Sequence, residues 1–337
     1  MHMGSTQKKQ INKEMLRLKD IVGINVEVSA RCNARCPFCS RNKKVRSYGN
    51  HLLTLDDFKS LPEELYDSLE WVSFGGNFGD PSTNPELPQI AEYIKKMCPA
   101  VTLMADTNGS VQNTSWWRSL GTPFSDGIMY VSIDGLADTH ANHRKGTDFE
   151  KIIQNISAFI DTGGAAHWKF ILFEHNEHQV EEAEKIAKEI GCSRFFVISS
   201  REYNNDCQRP GNATFQLKSE IFSAYQQKTI RQNEQALCKP FQNHSIYLAA
   251  DGTVHPCCLA HCNYVTEHEP SFQFIIGLIE ENIERINFKT RPLADILNDS
   301  YFNEVFEISK TNSYCMMKCS KYRKEALKQL ILYDKYF

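Results

Sequence analysis

The feature that most constrains this chain is a set of three cysteines closing a short apolar strand: Val26-Glu27-Val28-Ser29-Ala30-Arg31-Cys32-Asn33-Ala34-Arg35-Cys36-Pro37-Phe38-Cys39. Three residues separate Cys32 from Cys36, and two separate Cys36 from Cys39. Such a triplet supplies three thiolates to one metal centre. A cubane iron–sulfur cluster has four irons, so three cysteines leave one iron open. An open iron is a reactive position, whereas a fully ligated cluster mainly carries electrons. Taken alone, the triplet is also compatible with a zinc site or with buried thiols.

A chain of 337 residues, 41% hydrophobic and 23% charged, suits a soluble globular protein with a sizeable core in one large or two smaller domains. Its net charge of −3 argues against a dedicated nucleic-acid binder. No apolar run approaches the length of a membrane span, so no membrane partner is expected. The N-terminus lacks the apolar core of a secretory signal. Twelve cysteines without an export signal point to metal ligation or catalysis rather than a disulfide framework. The expected location is therefore the cytoplasm, in an oxygen-poor setting.

Along the chain, short β-rich runs at 23–29, 71–74, 101–105, 128–133, 167–173 and 194–199 alternate with helical patterns. The helices are expected at 55–69, 87–97, 113–120, 148–162 and 179–190. Strand–helix repetition predicts a parallel sheet with helices outside, an α/β architecture whose chemistry sits at the carboxyl ends of the strands. Beyond Arg201 the pattern changes. Residues 204–212 read as a loop and 215–237 as a helix. Residues 245–256 read as a β-hairpin turning on Asp251-Gly252. The tail, 322–336, reads as an amphipathic helix.

A cysteine triplet of this spacing after a first strand, followed by repeated strand–helix units, resembles the radical S-adenosylmethionine (SAM) superfamily. The resemblance implies a partial (β/α)6 TIM-like barrel and a [4Fe–4S] cluster on Cys32, Cys36 and Cys39. It further implies SAM as the second cofactor, chelated to the open iron and cleaved to a 5′-deoxyadenosyl radical. Three later motifs at strand ends support it. Gly75-Gly76-Asn77-Phe78-Gly79-Asp80-Pro81 is similar to the family's Gly-Glu-Pro segment, with Asp80 where Glu is usual. Thr107-Asn108-Gly109 follows the third strand, and Ser132-Ile133-Asp134-Gly135 with His140 and Arg144 follows the fourth. By resemblance, Gly76, Gly79, Asp80 and Asn108 contact SAM. Ser132 and Asp134 approach its ribose or methionine, Arg144 meets its carboxylate and Phe38 packs near adenine. Arg144 as a solvated surface residue is the plain alternative.

A second cysteine set comprises Cys238, Cys257, Cys258, Cys262, Cys315 and Cys319. Thirteen residues separate Cys238 from Gly252, four separate Gly252 from Cys257, and Cys315-Met-Met-Lys-Cys319 follows. This resembles the auxiliary-cluster region of the SPASM and twitch subfamilies, with too few cysteines for two full auxiliary clusters. The resemblance implies one auxiliary [4Fe–4S] cluster on Cys238, Cys257, Cys315 and Cys319. Three intervening residues in the final pair depart from the usual two. A zinc ribbon competes, but its usual CxxC knuckles are missing. The expected domains are an N-terminal extension (1–20), the barrel (21–203) and a small auxiliary-cluster domain of hairpin and helix (204–337).

The implied function is a radical SAM oxidoreductase that takes a hydrogen atom from its substrate, with electrons from a donor such as flavodoxin or ferredoxin. Modification of a peptide or protein side chain is the leading expectation. Dehydrogenation or rearrangement of a small polar molecule (an aminocyclitol, sugar or nucleotide) is the alternative. Few residues precede the first strand for a leader-binding domain, which counts against the peptide reading. Cys207, Cys258 and Cys262 are candidate hydrogen-atom donors. Glu174, His175, Asn176, His178 and the loop 200–206 are candidates to face the substrate. An electron-transfer or cluster-scaffold protein would keep the cysteines but would not need Asp80, Asn108, Asp134 and Arg144 at successive strand ends.

Overall fold

Six strands lie side by side in chain order, all parallel: β1 (Gly23–Val26), β2 (Trp71–Phe74), β3 (Thr102–Thr107), β4 (Ile128–Ser132), β5 (Ala166–Leu172) and β6 (Arg194–Ser199). The computed structural model describes residues 16–212, 238–267, 269–319 and 331–337. Three further strands join the same sheet. β7 (Ser245–Leu248) pairs parallel with β1, and β8 (Val254–His255) folds back antiparallel on β7. β9 (Ile331–Tyr336) pairs antiparallel with β6. The result is one nine-stranded sheet in the order β8-β7-β1-β2-β3-β4-β5-β6-β9. No barrel closure joins its two ends in that order, which matches the partial barrel.

The helices cover one face. Leu87–Met97 buries Leu87, Ile90, Ala91 and Ile94, the i, i+3, i+4, i+7 stripe of an amphipathic helix. Thr114–Gly121 is capped by Asn113, whose side chain accepts from the Trp116 amide at 3.0 Å. Phe149–Ile160 is capped by Asp148, which accepts from the Lys151 amide at 2.8 Å. Each cap satisfies an amide that has no partner in the first turn. The expected 55–69 helix is broken into Leu55–Lys59 and Glu63–Asp67. Pro62 lies at the break, where a proline removes a helical donor and crowds the preceding turn. Trp117, Phe124, Phe159, Trp168 and Phe170 are fully buried, filling the space between helices and sheet.

The hairpin forms as expected, and Gly252 takes a positive φ of 94° in its turn. Its first strand extends the main sheet rather than standing apart from it. The tail requires a correction: Ile331–Tyr336 is a strand, not a helix. Residues 320–330 and the expected helix at 215–237 lie outside the described residues, as do residues 1–15 of the N-terminal extension. No helix among the described residues is long and apolar enough to cross a membrane.

Candidate functional site

The three cysteines occupy the loop that leaves β1 at its carboxyl end. Arg41, on the short helical turn Ser40–Lys43, donates to the carbonyls of Cys32 (2.7 Å) and Ala34. Asn42 Nδ2 donates to the Cys36 carbonyl at 3.0 Å. From below, the Arg35 amide donates to the Lys145 carbonyl at 2.7 Å, and Asn33 Nδ2 donates to Ser110 Oγ at 2.7 Å. The loop is thus fastened to the loops after β3 and β4. All three cysteines are half-buried and line a cavity of about 730 Å³.

Two side-chain cations or amides face the sulfurs. Arg144 Nη1 lies 3.8 Å from Cys36 Sγ, and Asn108 Nδ2 lies 3.6 Å from Cys32 Sγ. Donors aimed at sulfur suit thiolate, and hydrogen bonds to cluster sulfurs tune potential. Burial pushes the Cys32 thiol up to about 11, with Asp80 adding and Arg41 opposing. Burial also raises Cys36, against the pull of Arg144. A metal centre that replaces these protons therefore does the deprotonating itself. The donor set fits an iron–sulfur cube with one iron left to another ligand. Among the described residues no three His, Cys, Asp or Glu side chains converge on a single ion. The ligands of a cube each bind a different iron of one cluster.

Arg144 owes its place to Asp134. Asp134 Oδ2 accepts from Arg144 Nε at 2.5 Å and faces His143 Nδ1 at 2.7 Å, while Oδ1 accepts from the Ile171 amide at 2.7 Å. Burial would raise this carboxyl, but the Arg144 guanidinium and His143 outweigh it and hold it below the usual carboxylate range. Asp134 is wholly buried and does not line the cavity, whereas Arg144, His143 and Ser132 do. The structure therefore places Asp134 behind Arg144 instead of at the cavity surface.

Asp80 and Asn108 line the cavity, but the Asp80 carboxylate is taken up by the chain's own donors. Its Oδ1 accepts from the Ser82 amide (3.0 Å), Ser82 Oγ (2.6 Å) and Thr107 Oγ1 (2.8 Å), and Oδ2 accepts from the Asn108 amide at 2.7 Å. The shorter acid thus bolts the loop after β2 to the loop after β3. Gly76 and Gly79 line the cavity, and Gly79 presses on β1's exit so closely that a Cβ would sit 1.6 Å from the Ser29 carbonyl oxygen. Phe38 also lines the cavity, 5.9 Å from the His143 ring and 6.3 Å from Phe173.

Cys238 and Cys257 flank β7 and β8, the edge of the sheet next to β1. Cys238 precedes the short helix Lys239–Gln242, and Cys257 is the N-cap of Cys258–Thr266, accepting from the Ala260 amide at 3.4 Å. Cys315 and Cys319 lie one turn apart on Ser313–Cys319. Burial raises Cys257 well above the ordinary thiol value, and Cys258, Cys238 and Cys315 raise it further. Cys315 is raised by burial, then by Cys319 and Cys238. Cys238 is raised by burial and, more weakly, by Cys319. Among these cysteines, Cys238 and Cys315 each influence Cys257, and Cys319 influences Cys238 and Cys315. Cys258 neighbours Cys319 and Cys262.

Of the three candidate hydrogen-atom donors, only Cys262 lines the cavity. Cys207 is buried with its Sγ 3.8 Å from the Asn142 carbonyl, away from the cavity lining, and Cys258 faces the auxiliary group. After β5, Asn176 is a structural clamp that donates to the Asp134 carbonyl at 3.1 Å, and His175 stacks on Phe173. Neither they nor Glu174 and His178 line the cavity, while Ser200, Arg201 and Glu202 of the next loop do.

Sequence reasoning missed an ion pair inside the cavity. Lys169 Nζ on β5 meets Asp106 Oδ1 on β3 at 2.5 Å, spanning β4. Both line the cavity, and Lys169 sits in register with Ser132. The signal was a single Asp or Lys within each of two strands whose other residues are mostly apolar.

Residues 26–190 match the family model for the radical SAM superfamily, and residues 238–321 match SPASM, described as an iron–sulfur cluster-binding domain. A tungsten-containing aldehyde ferredoxin oxidoreductase cofactor-modifying protein from Pyrococcus furiosus is 28% identical over 116 residues, 33% of this chain and 30% of that protein. An S-adenosylmethionine-dependent nucleotide dehydratase from a Thermoplasmatales archaeon is 25% identical over 145 residues, 43% of this chain and 50% of its own. The match thus spans half or less of either relative. Among solved structures, Streptococcus suis SuiB bound to precursor peptide SuiA superposes with a TM-score of 0.54 at 12% identity, covering 85% of this chain and 66% of that one.

Proposed function

The chain belongs to the radical SAM superfamily and carries a SPASM iron–sulfur domain, and from that premise we propose that it removes a hydrogen atom from a side chain of a peptide or protein. When bound, the cluster and SAM supply a 5′-deoxyadenosyl radical, the species that takes the hydrogen atom. Cys32, Cys36 and Cys39 are the proposed ligands of that cluster. Cys238, Cys257, Cys315 and Cys319 are proposed to hold one auxiliary cluster, a nearby acceptor for the electron released when the product is more oxidised than the substrate.

This chain's residues bind, orient and exclude water. Arg144, fixed by Asp134, offers a cation to the SAM carboxylate. Asp80 and Asn108 hold two strand-end loops together so that the glycine-rich loop keeps one shape. Phe38, backed by the buried Phe173, gives that part of the cavity an apolar wall, which strengthens charge interactions inside it.

The observation that carries the substrate reading is the cavity's form. Its lining holds the Asp106–Lys169 pair, with Asp106 exposed, and continues to the exposed Arg201 and Glu202. A volume of about 730 Å³ falls in the range of small-ligand sites and, shared with SAM, suits one polar side chain. The peptide backbone then remains at the polar rim. SuiB, whose fold this chain shares, was solved with a precursor peptide, which agrees with that reading without establishing it. A second reading, a small polar molecule, is favoured by the same ion pair, since adjacent opposite charges suit a zwitterion or polyol.

Anaerobic incubation of the reconstituted, reduced protein with SAM separates these readings. Precursor peptides are expected to accelerate 5′-deoxyadenosine formation and to change mass at one side chain. Acceleration by aminocyclitols, sugars or nucleotides and by no peptide would establish the second reading. No 5′-deoxyadenosine under any condition would favour a cluster scaffold.

A further inference from the structure

A buried acid that the proposed chemistry leaves unused sits five residues before Cys32. Glu27 is 1% exposed, at the carboxyl end of β1. Its Oε1 accepts from the amides of Phe78 (2.7 Å) and Gly79 (3.0 Å), both in the glycine-rich loop. Its Oε2 accepts from Tyr48 Oη (3.0 Å) and Tyr247 Oη (3.2 Å). The loop rests on this carboxylate so tightly that a Cβ on Gly76 would lie 2.4 Å from Oε1. A buried carboxylate with four donors is a fixed object, because losing any partner exposes the desolvation cost of the rest.

The network continues into the auxiliary region. Asn77 Nδ2, in the same loop, donates to Tyr247 Oη at 3.1 Å and to the Cys258 carbonyl at 2.9 Å, and lies 3.3 Å from His261 Nδ1. Cys258 and His261 belong to the helix capped by Cys257, and Tyr247 is on β7. Tyr48 closes the third side, accepting from the Ala250 amide at 3.0 Å and packing its ring 4.9 Å from His261. One carboxylate therefore joins the glycine-rich loop, the segment after the cysteine triplet and the hairpin that leads to Cys257.

We propose that Glu27 is a positioning residue that couples the two cysteine centres mechanically: through Tyr247 and Asn77 it sets the glycine-rich loop against the auxiliary-cysteine helix and so fixes the wall on which SAM binds. The inference rests on this cavity being the SAM site. It makes SAM affinity depend on Glu27 and Tyr247, neither of which lines the cavity.

The test uses the full chain with its clusters reconstituted. Tyr247→Phe, away from the cavity lining, keeps the ring and deletes the hydroxyl that serves both Glu27 and Asn77; Asn77→Ala, in the lining, removes the other end of that contact together with the bond to the Cys258 carbonyl. SAM binding is measured at equilibrium, alongside iron content and the electron paramagnetic resonance spectrum of the reduced cluster with and without SAM. Each variant is expected to keep the parent's iron content and SAM-free spectrum while weakening SAM binding at least fivefold. The double variant is expected to fall clearly short of the sum of the two single effects, because both remove the Tyr247–Asn77 contact while each also loses a bond of its own. Unchanged SAM affinity in Tyr247→Phe overturns the proposal, as does additivity of the two effects or loss of iron in parallel with affinity. A parent protein that binds no SAM overturns the reading of the cavity itself, and the coupling falls with it.

Discussion

Arg144 reaches the first cysteine loop with Nη1 3.8 Å from Cys36 Sγ, and it does so because Asp134, on the other side of its guanidinium, accepts from its Nε. Asp134→Asn keeps the size and removes the charge that orients the arginine. SAM affinity is expected to fall about tenfold or more, equivalent to roughly 1.4 kcal/mol. Breaking a buried pair by neutralising one partner is expected to cost about 3 kcal/mol of stability as well. Equilibrium SAM binding and urea unfolding check the two effects separately. An Asp134→Asn protein that binds SAM as the parent does would place Arg144 outside the SAM site.

Replacing Cys315 and Cys319 together with Ala is expected to lower iron from about eight per chain to about four, the loss of one cube. Some 5′-deoxyadenosine formation should survive, since the triplet at Cys32, Cys36 and Cys39 is intact. Iron and sulfide analysis checks the count. A fall to no iron at all would show that the two centres assemble as one unit.

Gly79→Ala tests close approach. The added methyl would lie 1.6 Å from the Ser29 carbonyl oxygen, so backbone must move. Overpacking of this kind is expected to cost about 3 kcal/mol or more. The thermal midpoint should drop and SAM binding should weaken with it. By contrast, Gly163→Ala meets nothing within 4 Å, but its φ of 98° strains any side chain, so its smaller loss reports strain alone.

The buried histidines predict a pH dependence. Burial pushes His140 down to about 4 and His261 down to about 3, the latter helped by Lys44. Both folded values lie below the unfolded value near 6.5. The unfolded chain therefore binds protons first. Stability is full above pH 6.5 and declines as pH falls toward 4, by up to about 1.4 kcal/mol per pH unit for each group. Urea midpoints at several pH values, with cluster absorbance followed in parallel, check the slope. His140→Gln should flatten it, and an unaltered slope would remove His140 from the account.

What the sequence made legible follows from where the information is local. Each of β1 to β6 carries its own apolar run, and the turns between them carry their own caps, so order and direction could be read directly. The cysteine triplet is local too. The tail was misread because six residues, Ile331-Leu-Tyr-Asp-Lys-Tyr336, suit a helix face as well as a strand. Their partner β6 lies far away in sequence, and Arg194, which clasps Asp334 at 2.7 Å, gives no hint of it beforehand. Asp106 and Lys169 were missed for the same reason: only register across β4 brings them together. Asp80 and Asp134 were recognised by motif, yet motif says which residue matters and not whether its carboxylate faces the cavity or the chain's own amides.

The two outer neighbours of the six-stranded unit, β7 beside β1 and β9 beside β6, both come from the last third of the chain. During synthesis the first six strands emerge with both margins bare. Unpaired strand margins are templates for pairing with other chains. The nascent protein is therefore most vulnerable to misassembly after Ser199 has left the ribosome and before Tyr336 has. Filling of the proposed auxiliary site, whose proposed ligands include Cys319, would on this reading belong to the same late interval, when the chain first becomes safe to hold.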